Sequence, residues 1–223
     1  MQVVFCCPGT TFSHRWVACF LELWTYCLNS GIQPLLSQAQ SNNVYYARNK
    51  CLGGDVMAGK GQKPFRGSLD YSYICWLDSD SIFTTAQFQR LLNHSVEVVG
   101  ALQPFEGGGG FTCGWLDEGF FRQKGYMPYL TPEGLKKSEL NQAGLLEVDY
   151  SGFGMLLVKR GVYEAIEYPW HRPQWFNFEI NGQVVQDFSM EDVGACMEFR
   201  KAGFRIFVDP AVRIGHEKAA VFG

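Results

Sequence analysis

Short apolar runs alternate with longer segments of helical spacing along the chain. Residues 3–7, 32–36, 73–77, 96–102, 145–150, 155–158 and 205–208 are strand-length and rich in β-branched and aromatic side chains. Between the first two, Trp16, Phe20, Leu23, Trp24 and Cys27 recur on one helical face, behind Ser13 as a capping residue and ahead of Asn29-Ser30-Gly31 as a stop. Further helices are predicted over 44–52, 83–92, 160–168 and 189–201, with Ser189 capping the last and Gly203 closing it. Pro34 marks the second strand as an edge. Strands alternating with helices imply an α/β domain with a mostly parallel central sheet flanked by helices, its first half a mononucleotide-binding unit. Residues 53–68 read as a polar surface loop. Residues 104–144 read as an irregular segment in which Trp115, Phe120, Phe121, Tyr126 and Tyr129 suit an acceptor-binding lid, and 170–186 as an aromatic loop.

Composition narrows the function classes. A chain of 223 residues with 47% hydrophobic and 15% aromatic content is one compact domain by expectation. A net charge of −3 without any basic block excludes a nucleic-acid partner, but not a single nucleotide. The eight cysteines are scattered and form no Cys-x-x-Cys pair, so they read as free, buried thiols of a reducing compartment. The N-terminus lacks the features of a secretory signal, and the longest apolar candidate, 16–28, is interrupted by Glu22, so no membrane span is expected. A cytoplasmic protein follows, or a soluble domain of a longer chain with further domains, since Val221-Phe222-Gly223 carries no stop signal.

The chemistry concentrates at three places. Tyr73-Ile74-Cys75-Trp76-Leu77 ends abruptly in Asp78-Ser79-Asp80. Ligands of open α/β sheets bind at that end of a strand, and two carboxylates one residue apart on extended backbone point the same way. They repel unless a cation lies between them, and a divalent metal carrying a diphosphate is the natural one; the plainer alternative is a helix cap or Asx-turn. Glu191-Asp192 opens the last helix, where plain capping is the alternative. His216 follows Ile214-Gly215 near the C-terminus, with a satisfied strand-end histidine as its alternative; His14, His94 and His171 read as structural. Arg48 suits a phosphate or base carbonyl, and Gly152-Phe153-Gly154 beside a strand end would let a ligand approach the backbone.

In this order the set resembles glycosyltransferases of GT-A (Rossmann-like) fold, notably the large family-2-like group, from one end of the chain to the other. More narrowly it resembles the N-terminal domain of a chlorella-virus glycosyltransferase, which would imply a host-cell cytoplasm. The resemblance implies a nucleotide-sugar-binding half over 1–103 and an acceptor-binding and catalytic half over 104–223. It places the nucleoside of a UDP-sugar at Pro8, Gly9 and Thr10, with Arg48, Asp78 and Ser79 contacting the nucleotide. It implies Mn²⁺ or Mg²⁺ on Asp80 and His216, with Asp78 at the ribose or reaching the metal through water. Asp192 is the implied general base, with Asp149 and Glu191 behind it, its carboxylate kept ionised by the helix N-terminus. Trp115, Gly152, Phe153 and Gly154 are the implied contacts to a glycan or glycoprotein acceptor. The Gln-x-x-Arg-Trp motif of processive synthases is missing, which argues against a polymerising enzyme. A nucleotidyltransferase would use similar carboxylates but usually has a basic, Gly-rich loop where this chain has Pro8-Gly9-Thr10-Thr11; a binding module that lost its activity would keep the fold.

Overall fold

Seven strands build the central sheet: β1 (Gln2–Pro8), β2 (Gln33–Ala39), β3 (Tyr73–Leu77), β4 (Val98–Leu102), β5 (Leu146–Val148), β6 (Met155–Lys159) and β7 (Ile206–Arg213). The structure, a computed structural model, describes residues 1–218, so Val221-Phe222-Gly223 lies outside the described residues. The spatial order is β2-β1-β3-β6-β4-β7-β5. All run one way except β6, antiparallel to β3 and β4, and β5, antiparallel to β7. β2 is an edge strand, as Pro34 requires. The late strands β6 and β7 thus insert between earlier ones, β6 between β3 and β4 and β7 between β4 and β5.

Pleating splits the core into two layers. Val3, Phe5 and Cys7 of β1 face α1 (His14–Asn29) and α3 (Thr85–Asn93), while Val4 and Cys6 face the opposite layer. That second layer contains Cys51 of α2 (Val44–Cys51) and Ala195, Cys196 and Phe199 of α6 (Glu191–Lys201). Trp76 of β3 is 0% exposed there, and burying such a ring contributes roughly 1.5–3 kcal/mol. Ser13 accepts a hydrogen bond from the Trp16 N–H and caps α1 as its sequence implies. All eight cysteines are free and seven are buried. No helix of the described residues is long and apolar enough to cross a membrane.

Three local expectations are corrected. Residues 160–168 form a single 3₁₀ turn, Tyr163–Ala165: Gly161 enters with φ +103°, outside the right-handed helical region, and Ile166 leaves it in extended conformation. The supposed loop after Trp170 contains a hairpin, Trp175–Ile180 paired with Gln183–Phe188, turned by Asn181-Gly182 with both φ angles positive. Its inner face packs Phe178 on Phe121 of α4 (Glu118–Lys124), inside the segment read as irregular, which also holds α5 (Pro132–Lys137). Met190, not Ser189, caps α6; the Ser189 hydroxyl instead accepts from the Gln174 N–H, tying down the base of the hairpin.

Candidate active site

A cleft of about 410 Å³ opens at the C-terminal ends of β1 and β3. Pro8, Gly9 and Thr10 form one wall, Val44, Ala47 and Arg48 of α2 another, and Asp78, Ser79, Asp80 and Glu191 the floor. The turn after β1 lies so close that a Cβ at Gly9 would sit 2.8 Å from the Ser79 Cβ, and Gly9 has φ +155°; only glycine fits.

The chain does not stay extended through Asp78-Ser79-Asp80. The Ser81 N–H donates to the Asp78 carbonyl at 3.1 Å, closing a turn, and Trp16 Nε1 of α1 donates to the same carbonyl at 2.9 Å. The turn is the alternative weighed from the sequence, and it corrects the expectation of two parallel carboxylates. Asp78 and Asp80 both line the cleft but engage different partners.

Asp78 is taken by Arg48, whose Nη2 donates to Oδ2 at 3.2 Å and whose Nη1 lies 3.0 Å from Oδ1. Arg48 Nε donates to Glu191 Oε1 at 3.0 Å. The guanidinium is 5.4 Å from the Trp76 ring centroid and 5.0 Å from that of Phe153. Burial opposes its charge, but Asp78 and Glu191 more than offset this and hold its pKa above the ordinary value. Arg48 therefore directs Nε and Nη2 to two carboxylates, one from each half of the chain, while its buried Nη1 makes no hydrogen bond.

Asp80 Oδ2 lies 3.1 Å from His216 Nε2 and 2.6 Å from Lys218 Nζ. A two-residue antiparallel ladder between Ser81–Ile82 and Gly215–His216 brings them together, and the Glu217 N–H donates to the Asp80 carbonyl. His216 Nδ1 is 2.9 Å from the Pro104 carbonyl, which only accepts, so Nδ1 carries a proton there and Nε2 is the nitrogen turned to Asp80. The Lys218 ammonium is the cation paired with Asp80 here, and a metal ion held by Asp80 and His216 would take its place. Among the described residues no group of three or more His, Cys, Asp and Glu side chains gathers as a metal cage. Asp80 and His216 are the pair whose donor types could hold a hard divalent ion such as Mg²⁺ or Mn²⁺.

Asp192 is half-buried, and its Oδ1 accepts from the Val193 N–H at 2.7 Å. Its pKa is pushed up to about 7, by burial first and by Glu191 second, which corrects the expectation of a carboxylate depressed by the helix N-terminus. Glu191 is 5% exposed and turned onto Arg48. Asp149 lies apart from the cleft lining, 2.7 Å from Arg200 Nη2 and accepting from the Leu116 N–H at 2.8 Å. Phe153 is buried beneath Arg48. The room beside Gly152 and Gly154 is filled by protein: a Cβ there would meet Thr112 Oγ1 at 2.6 Å and Gln103 Oε1 at 2.3 Å. Trp115 is half-buried against the core. His171 is buried with Nε2 2.9 Å from the Tyr163 hydroxyl, and His94 lies 2.7 Å from Asp209. Lys218 is the site residue that sequence reasoning passed over; its signal was a cation two positions after His216.

No family model matches the chain, and no curated protein matches it. Among solved structures, A197 of STIV superposes with a TM-score of 0.54 at 16% identity, covering 100% of this chain and 97% of that one. That likeness bears on the fold alone. Drosophila β-1,4-galactosyltransferase 7, solved with manganese, UDP-Gal and xylobiose, overlaps at a TM-score of 0.46 and 12% identity over 93% of this chain. GalNAc-T7, solved with UDP, GalNAc and Mn²⁺, overlaps at 0.49 and 11% over 98%. The chain spans 64% and 43% of those two proteins, and neither overlap carries an argument about function. The fold class is the one expected, an α/β domain whose mostly parallel sheet is flanked by helices.

Proposed function

We propose that this chain is a metal-dependent, inverting glycosyltransferase of the family-2-like group that moves a hexose from a UDP-sugar to a hydroxyl of a glycan or glycoprotein. The observation that carries the reading is the cleft itself. One cavity at the strand ends joins the Pro8-Gly9-Thr10 turn, α2, Asp78-Ser79-Asp80 and Glu191, with His216 laddered onto its rim. Its floor is acidic and Arg48 is paired with two carboxylates, so a divalent ion that replaces Lys218 at Asp80 would let a diphosphate bind there. Asp80 and His216 would hold that ion, which when bound supplies Lewis-acid stabilisation of the departing diphosphate.

The other roles belong to the chain's own side chains. Pro8, Gly9, Thr10 and Ser79 shape the nucleoside end. Arg48 fixes Asp78 toward the ribose and, through Glu191, fixes the start of α6. Asp192 takes the proton from the acceptor hydroxyl; a carboxylate with a pKa about 7 suits a general base at neutral pH. Asp149, neutralised by Arg200, stands second. Residues 1–103 thus supply the donor side and 104–223 the base and the acceptor side, where Trp115 is the candidate contact. Gly152 and Gly154 let Thr112 and Gln103 close behind the site, and Phe153 supports Arg48.

Calorimetric titration of UDP, GDP and ADP, with and without Mn²⁺, tests the reading. Saturable binding of UDP only with Mn²⁺ is expected. No binding of any nucleoside diphosphate in the presence of Mn²⁺ overturns it in favour of a binding module.

A further inference from the structure

Helix α2 has a second side. Val44, Ala47 and Arg48 face the donor cleft, while Asn43, Tyr45 and Tyr46 face a separate cavity of about 360 Å³. Tyr168, Arg172 and Phe188 line its other walls, together with prolines. Ligand sites of this size are built from aromatic surface with a few polar groups among it.

The chemistry of the lining selects the ligand. Arg172 is the one cation in it, and its guanidinium is committed to Glu198 at 2.5 Å and to the Glu167 carbonyl at 3.3 Å. His171, also in the wall, is kept uncharged by burial and by Arg48. No free charge therefore invites a phosphate or carboxylate. The Tyr45 hydroxyl gives its proton to the Ser189 carbonyl at 2.8 Å, leaving an acceptor oxygen, and Asn43 uses its carbonyl oxygen to cap α2, leaving an NH₂ donor. Aromatic faces for C–H surfaces, beside single donors and acceptors for hydroxyls, suit a sugar ring.

The aromatic strip continues out of the cavity. Phe188 pairs across the hairpin with Trp175, the rings 5.6 Å apart at 63°, so they form no parallel slot for a flat base. The next same-face pair along the hairpin is Asn177 and Gln186, bonded side chain to side chain at 2.7 Å. Aromatic then amide is a track for successive sugar rings.

We propose that this cavity and the adjoining hairpin face form a second carbohydrate site, which takes a neutral pyranose or short oligosaccharide on the far side of α2 from the donor cleft. The site goes beyond the transfer reading, because binding here needs neither nucleotide nor metal.

The test is saturation-transfer NMR and calorimetry with cellotriose, maltotriose, mannotriose and chitotriose. At least one binds saturably, equally with and without UDP and Mn²⁺. Tyr46→Ala and Phe188→Ala, at residues 56% and 50% exposed, each weaken that binding about tenfold, roughly 1.4 kcal/mol, while thermal unfolding stays unchanged. Trp175→Ala weakens the trisaccharide but not the methyl glycoside of its terminal sugar. Absence of binding by all four sugars overturns the proposal, as does equal binding by both cavity variants or displacement of the sugar by UDP. Failure of UDP to bind with Mn²⁺ undoes the transfer reading and leaves this site standing.

Discussion

Asp192→Asn separates the acid–base chemistry of the site from its architecture. The Asp192 carboxyl titrates at about 7 rather than 3.8, because burial and Glu191 both disfavour its charge. At ~1.36 kcal/mol per pH unit, ionising it inside the fold costs on the order of 4 kcal/mol. The sign follows from proton counting. Between about pH 4 and pH 7 the folded protein holds a proton that the unfolded chain has released, so this group's contribution to stability falls as pH rises through that window and levels off above it. Asn cannot titrate, so the variant lacks that slope. Urea denaturation of both proteins across the window should show the wild type losing its advantage over the variant by roughly 1 kcal/mol per pH unit. Turnover should behave in the opposite sense: wild-type kcat/KM rises with pH through about 7, and the variant loses roughly 10²–10⁴ in kcat while still binding donor. A stability difference that does not change with pH refutes the raised pKa. Near-normal turnover in the variant refutes the assignment of the base and moves it to Asp149, whose pairing with Arg200 would then have to open.

EDTA should abolish turnover and Mn²⁺ should restore it best, and Asp80→Ala should lose metal-dependent UDP binding in calorimetry; full activity in chelator refutes the metal assignment. Arg48→Met leaves Asp78 and the buried Glu191 without their partner and should cost about 3–5 kcal/mol in urea denaturation, where a loss under about 1 kcal/mol would show that the network is not structural. With a base opposite the leaving group, the deprotonated acceptor oxygen attacks the anomeric carbon as the nucleoside diphosphate leaves, so NMR of the product should show an inverted anomeric carbon, and retention would disprove the mechanism while leaving the fold intact.

Local composition was enough for much of this architecture. Residues 73–77 read as a buried strand because no polar residue interrupts them, and α1 was legible because its apolar positions recur at helical spacing behind Ser13. The edge position of β2 was written in Pro34, and the carboxylates at the end of β3 in the sequence of that strand. The hairpin was not legible and reads as a loop from the sequence: Asn181-Gly182 is a turn signal, but aromatics on both faces of the flanking strands hide the alternation. Other features depend on contacts between distant residues, which no window of sequence contains. Arg48 looked like a ligand-reaching cation; only the fold sets Asp78 and Glu191 against it, 30 and 143 positions away. The two aspartates looked convergent until the Ser81 turn and the ladder to His216 sent them to different partners. Asp192 looked ionised from its place at a helix start, since the dipole is a local effect; burial, which is tertiary, outweighs it, and the adjacent Glu191 adds to the shift. Charge type and strand ends are properties of sequence; the protonation and pairing of those charges depend on desolvation and distance, which exist only once the chain has folded.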